Sequence, residues 1–98
     1  MSSNLVFYLL IDYPTPNVFF ETVNDLVQRG IDTIEFGIPS LKPFLDGPTI
    51  AKSHEHVLSQ GFSKARYIQV MDELKSWHPH LRRIVMAYSD AIHDYALL

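Results

Sequence analysis

The sequence predicts an α/β domain with a parallel sheet, and three observations lead to this class. Residues 5–11 form a continuous apolar run, which is typical of a strand buried on both faces. An amphipathic helical pattern follows this run, and a second short apolar strand comes next after only a brief connection. Strand, helix, strand units of this kind have parallel strands and a right-handed crossover, so the first two strands should be neighbours.

The first helix is bounded by clear local signals. Thr15 is suited to the N-cap, and Pro16 is favoured at the first helical position. Gly30 marks the end, because glycine is common just beyond a helix. The apolar positions between these signals recur at helical spacing and predict a face packed on the sheet, formed by Phe19, Val23, Leu26 and Val27. The second strand is predicted from Thr33 to Gly37.

The second half of the chain is predicted to contain two further helices and one strand. Prolines and a glycine between Pro39 and Pro48 exclude regular structure there and predict an extended loop. The segment from Pro48 to Ser59 is predicted to be helical, Gly61 interrupts it, and Ser63 caps another helix. The apolar stripe of that helix consists of Tyr67, Met71, Leu74 and Trp77. Ile84 to Ala87 is the predicted third strand.

Composition limits the possible function classes. The chain has 98 residues, 47% of them hydrophobic and 19% charged, as in one ordinary globular domain. Its formal net charge of -3 provides no electrostatic footprint for nucleic acid or anionic lipid. A chain without cysteine has no disulfide and no thiolate metal site, and we expect a cytoplasmic protein. The longest apolar run is much shorter than the ~20 residues of a membrane helix, so no membrane association is expected.

Two carboxylates are the candidates for chemistry. Glu35 lies in the second apolar strand, and Asp46 follows eleven residues later, before Gly47-Pro48. Active sites of α/β folds form at the carboxyl ends of parallel strands, where an apolar lining can adapt a carboxylate for proton transfer. Each residue also has a structural alternative. Glu35 could be an edge carboxylate paired with Lys or Arg, and Asp46 could act only as the N-cap of the next helix.

The same region resembles a known enzyme family. Residues 34–49 read IEFGIPSLKPFLDGPT. They resemble the signature of the tryptophan synthase α chain, in which a strand ending Glu-Leu-Gly-Ile-Pro leads through Phe-Ser-Asp-Pro to Ala-Asp-Gly-Pro. The resemblance implies a (β/α)8 TIM barrel, and about the first three β/α units are present in this chain. Residues 1–98 would then be the amino-terminal part of a single barrel domain.

The resemblance also implies a reaction and its residues. The family cleaves indole-3-glycerol phosphate to indole and glyceraldehyde 3-phosphate by a retro-aldol reaction in tryptophan biosynthesis. Glu35 matches the acid that moves the proton at the indole ring carbon, and Asp46 matches the acid that binds the indole N-H. Met86-Ala87-Tyr88 resembles the family's Met-Thr-Tyr, which implies that Tyr88 lines the indole pocket, together with Tyr8. No cofactor or metal is expected in this chain, because pyridoxal phosphate belongs to the β chain, the implied partner.

The sequence departs from the family pattern in ways that define an alternative. Lys42 replaces the loop acid that helps the family communicate with the β chain. A complete barrel needs roughly 250 residues, and its phosphate site comes from loops after strands seven and eight. We therefore expect an incomplete barrel that associates or is unstable alone. The alternative function is a catalytically silent scaffold or half-barrel that acts by association with another chain. The expected inner face consists of Val6, Leu10, Ile34, Ile84 and Met86.

One further motif contains two histidines and invites a metal-binding interpretation, but their spacing argues against it. His54-Glu55-His56 places two imidazoles two residues apart in a predicted helix. Side chains at that spacing point roughly 200° apart, so the pair cannot chelate one ion. We predict no metal site.

Overall fold

The computed structural model describes residues 6–40 and 48–87, without the side chains of residues 48–50. It contains β1 (Phe7–Leu10), α1 (Pro16–Gln28), β2 (Thr33–Gly37), α2 (Pro48–Ser59), α3 (Lys64–Trp77) and β3 (Arg82–Met86). The strands form a parallel sheet in the order β1-β2-β3. The predicted α/β class with parallel strands is confirmed.

Local capping signals determine where the helices start. The Thr15 hydroxyl accepts a hydrogen bond from the Val18 N–H, and Pro16 begins α1 as predicted. The Ser63 hydroxyl accepts from the Arg66 N–H at the start of α3. Gly30 has a φ of +92°, a conformation that other residues rarely adopt, and it follows α1 closely. Both predicted caps and the predicted bounds of α2 are confirmed.

The core lies between the helices and one face of the sheet. Ile34 and Phe36 of β2 are fully buried on this face, which we call the outer face. The core cluster consists of Ile11, Phe19, Val23, Leu26, Ile31, Ile34, Phe36, Ile38, Val70, Leu74 and Leu81. On α3 the stripe was predicted incompletely, because Val70 is fully buried whereas Trp77 is 54% exposed beside Phe20. No described helix has the length and apolar character needed to span a membrane.

The opposite face of the sheet, the inner face, presents a different set of residues. Strand register places Tyr8, Glu35 and Ile84 side by side, and Leu10, Gly37 and Met86 form the next row. In-register residues of parallel strands point to the same face, and the face alternates along each strand. The placement of Ile34 on the inner face was therefore wrong: Ile34 pairs with Phe7 and belongs to the buried outer face.

Candidate active site

Glu35 is the carboxylate that β2 presents on the inner face. It is the middle residue of the five-residue strand, two positions before the carboxyl end. Its neighbours Ile34 and Phe36 point into the core, so strand alternation turns Glu35 away from the helices. The side chain is half-buried. Within residues 6–40 and 48–87 the carboxylate forms no ion pair or hydrogen bond, so the alternative of a Lys or Arg partner is not realised there.

Tyr8 lies beside Glu35 on the same face. The two Cα atoms are partners in the register of β1 and β2. The Tyr8 ring extends over Gly37, since a Cβ built on Gly37 would lie 2.6 Å from the Tyr8 Cζ and 2.9 Å from its Cε2. Glycine at position 37 therefore leaves room for an aromatic ring at the carboxyl end of β2. The Tyr8 side chain is 43% exposed, so the inner face of the sheet is accessible to solvent at this position.

The other predicted site residues fall outside the described part of the chain. Asp46 and Lys42 lie in residues 41–47, and Tyr88 follows the last described residue, Ala87. The end of β3 is held beside the end of β2, because the Ile38 N–H donates a hydrogen bond of 2.9 Å to the Met86 carbonyl. The carboxyl ends of β2 and β3 are thus joined beside the Tyr8 and Glu35 pair.

An ion pair that sequence reasoning missed joins the turn after β1 to the first turn of α3. Arg66 Nε donates to Asp12 Oδ2 at 2.7 Å, and Nη2 donates to Oδ1 at 2.8 Å. The hydrogen bonds to Asp12 raise the pKa of the Arg66 guanidinium. Asp12 has a φ of 65°, which aspartate tolerates better than most residues do, and it is 4% exposed. The partners are 54 residues apart, so no local pattern indicates the contact.

The two histidines of α2 contact different loops at the same end of the sheet. The Ser40 N–H donates a hydrogen bond of 2.9 Å to Nδ1 of buried His54. Nε2 of His56 lies 3.0 Å from the Pro14 carbonyl oxygen and 2.7 Å from Nε2 of Gln60. Their separate directions follow from the 200° offset expected for a helix. Among the residues that the structure describes, no group of three His, Cys, Asp or Glu side chains could hold a metal ion.

This geometry suits proton transfer to an aromatic substrate. A half-buried carboxylate on a strand is held rigidly, and it lies on an open face next to a tyrosine ring. A carboxylate in hydrogen-bond reach of a substrate atom can give and take a proton, while an adjacent aromatic ring can stack on a planar ligand.

Comparison with known proteins identifies a family along nearly the whole chain. A family model described as tryptophan synthase alpha chain matches residues 1–97. The tryptophan synthase alpha chain of Psychrobacter sp. (strain PRwf-1) is 33% identical over 88 residues, which are 90% of this chain and 32% of that protein. The Aquifex aeolicus alpha chain is 30% identical over 88 residues, covering 90% of this chain and 34% of that protein. The chain therefore spans about a third of the length of these curated relatives.

Solved structures agree with the sequence relatives. Tryptophan synthase from M. tuberculosis in its aminoacrylate-bound form superposes with a TM-score of 0.81 at 29% identity, covering 98% of this chain and 38% of that chain. A tryptophan synthase complex from Pyrococcus furiosus gives a TM-score of 0.80 at 27% identity, covering 94% and 38%. The predicted fold class, the first β/α units of a (β/α)8 barrel, is confirmed by this likeness.

Proposed function

The chain belongs to the tryptophan synthase α chain family, and from that premise we propose that it supplies the catalytic acid of an indole-3-glycerol-phosphate lyase. The reaction is retro-aldol cleavage of indole-3-glycerol phosphate to indole and glyceraldehyde 3-phosphate in cytoplasmic tryptophan biosynthesis. The single observation that supports it best is the register of Glu35 with Tyr8 on the inner face. Residues 1–98 form the amino-terminal part of the barrel domain in this proposal.

Glu35 is the proton carrier of the proposed reaction. It protonates the indole ring carbon that bears the glycerol phosphate chain. The bond from that carbon to the side chain then breaks, and its electron pair returns to the ring. The adjacent hydroxyl of the side chain gives its proton to the Glu35 carboxylate, which restores the acid, and its carbon becomes the aldehyde of glyceraldehyde 3-phosphate. A rigid strand favours this step because it holds the carboxylate at one distance from the ring carbon.

The remaining proposed residues bind the indole. Asp46 accepts a hydrogen bond from the indole N–H and stabilises the tautomer that breaks. Tyr8 and Tyr88 line the pocket, and the open position of Tyr8 beside Glu35 supports its part in this role. The substrate phosphate binds in the loops after strands seven and eight of such barrels. The partner is a β chain that carries pyridoxal phosphate, and Lys42 weakens communication with it.

A second candidate function is association without catalysis. It is favoured by the exposure of apolar inner-face residues, since Val6 is 49% exposed and Met86 is 48% exposed. Large apolar side chains that are exposed together on one face of a sheet commonly mark a surface that another polypeptide covers. In this reading the chain is a half-barrel scaffold, and Glu35 has no chemical role.

Indole release distinguishes the two functions. The chain is expressed together with the later β/α units of the Aquifex aeolicus relative and supplied with indole-3-glycerol phosphate. We expect indole from the wild-type chain and a loss of at least about 100-fold for Glu35→Gln, which removes the transferable proton and nearly preserves the shape. Glu55→Gln, an exposed change on α2, is the matched control and should retain activity. A stable complex that releases no indole supports the scaffold instead.

A further inference from the structure

His54 is a buried titratable side chain that the proposed reaction does not use. It lies near the middle of α2 and is 1% exposed, as is Val57 one turn later. Histidine is seldom this deeply buried without a specific role or polar contact, because its ring nitrogens lose water. The polar contacts of the His54 ring should therefore indicate its role.

The contact of His54 is to the backbone just beyond β2. The Ser40 N–H donates to Nδ1 at 2.9 Å across 14 residues of sequence. Ser40 is 2% exposed, so water cannot easily replace this acceptor. Pro39 precedes it and has no N–H, which makes Ser40 the first backbone donor after Ile38. Since Ile38 already donates to Met86 of β3, the chain leaving β2 is attached first to β3 and then to α2.

The direction of this bond defines the state of the ring. An imidazole nitrogen that accepts a hydrogen bond carries no proton, so the ring proton of neutral His54 is on Nε2. An apolar side chain of the same size at position 54 would fill the space but could not accept the hydrogen bond from the Ser40 N–H. A buried N–H without an acceptor is costly, so the segment would have to move to reach water or another partner.

We propose that His54 is a positioning residue: by accepting the Ser40 N–H it fixes the point at which the chain leaves β2, and with it the start of the segment that leads to Asp46. Residues 41–47 lie in sequence between Ser40 and the start of α2. The hydrogen bond therefore joins the amino-terminal end of this segment to the helix at its other end. Only the link to Asp46 depends on the proposed function.

Two variants separate acceptance of the hydrogen bond from simple filling of the core. His54→Asn retains an acceptor close to the place of Nδ1 but reduces the volume. His54→Phe retains the volume but removes the acceptor. The readout is amide exchange of Ser40 in the chain complemented with the later β/α units, relative to Phe36 within β2, which reports opening of the whole sheet.

We expect His54→Phe to accelerate Ser40 exchange by about tenfold or more relative to Phe36, and His54→Asn to remain within about threefold of the wild type. Equal acceleration in both variants, or none in either, overturns the proposal. If His54→Phe does not fold, the ring nitrogen shifts of wild-type His54 decide, and a proton on Nδ1 overturns it. This measurement needs no substrate, so the hydrogen bond is tested even if the lyase activity fails.

The link to the reaction has its own measurement. In the complemented enzyme described above, His54→Phe should lower kcat for indole release by about tenfold, whereas His54→Asn should stay within about threefold of the wild type. Unchanged kcat in His54→Phe, with accelerated Ser40 exchange, overturns the link to Asp46.

Discussion

The ion pair of Asp12 and Arg66 allows the most quantitative test of the fold. The Asp12 side chain is 6% exposed and that of Arg66 is 23% exposed. Arg66→Met removes the guanidinium and leaves the carboxylate buried without its two charge-assisted hydrogen bonds. Removing one partner of a buried pair costs about 3–5 kcal/mol. Partial exposure of Arg66 puts the expected loss at the lower end, about 3 kcal/mol.

Part of that loss does not come from the ion pair. The guanidinium carbon of Arg66 lies 5.9 Å from the centre of the Phe20 ring, a contact that contributes about 0.5–1 kcal/mol. Methionine keeps much of the apolar stem against Phe20, so it is a better replacement than alanine. The remaining loss of about 2 kcal/mol or more is assigned to the uncompensated Asp12 carboxylate.

A double-mutant cycle isolates the pair. Asp12→Asn removes the charge but tolerates the left-handed backbone at φ 65°. Once no carboxylate is buried, Arg66→Met should cost less, which gives a coupling free energy of about 1–3 kcal/mol. Urea unfolding of the chain complemented with the later β/α units, followed by circular dichroism at one fixed protein concentration, measures each variant. Losses that add to within about 0.5 kcal/mol would refute the coupling.

The same substitution at an exposed pair is the control. Arg29 Nε lies 2.9 Å from Asp25 Oδ2, but the side chains are 72% and 58% exposed. Solvent screens this pair, so Arg29→Met should change the free energy of unfolding by no more than about 0.5 kcal/mol. A loss at Arg29 as large as that at Arg66 would show that burial of the pair is not the cause.

Three further predictions concern other parts of the chain. Burial raises the pKa of Tyr67 above the ordinary value of about 10. The stability that is present below about pH 10 should therefore fall as the pH rises through the raised folded-state pKa. Urea midpoints measured at about pH 8 and pH 11 should show a smaller fall for Tyr67→Phe than for the wild type, and an equal fall contradicts this. Gly37→Ala should displace the Tyr8 ring with a stability loss below about 1.5 kcal/mol, and unchanged nuclear Overhauser contacts between positions 8 and 37 count against it. Because β1 and β3 are the edges of the described sheet, the chain alone should associate or be unstable; light scattering from a cooperative, well-folded monomer would disprove this.

Helix positions could be predicted because the signals are local. Thr15 and Ser63 supply oxygens that cap backbone N–H groups three residues later in the chain, and these contacts do not need the rest of the fold. Strand ends were less accurate. The predicted strand 84–87 is observed as Arg82–Met86, because a strand extends as far as its neighbour pairs with it, and Arg82 pairs with Thr33.

The sequence predicted Glu35 and Tyr8 as site residues, but it did not predict that they lie side by side on one face of the sheet. Glu35 stood out as an acid within an apolar strand, and the family resemblance gave it a role. Its face and its neighbour Tyr8 depend on strand register, which a pattern that is apolar on both faces does not define; the wrong placement of Ile34 has this cause. The contacts of Asp12 with Arg66 and of His54 with Ser40 were decided only by tertiary structure, because they join residues far apart in sequence whose meeting depends on how the helices pack on the sheet.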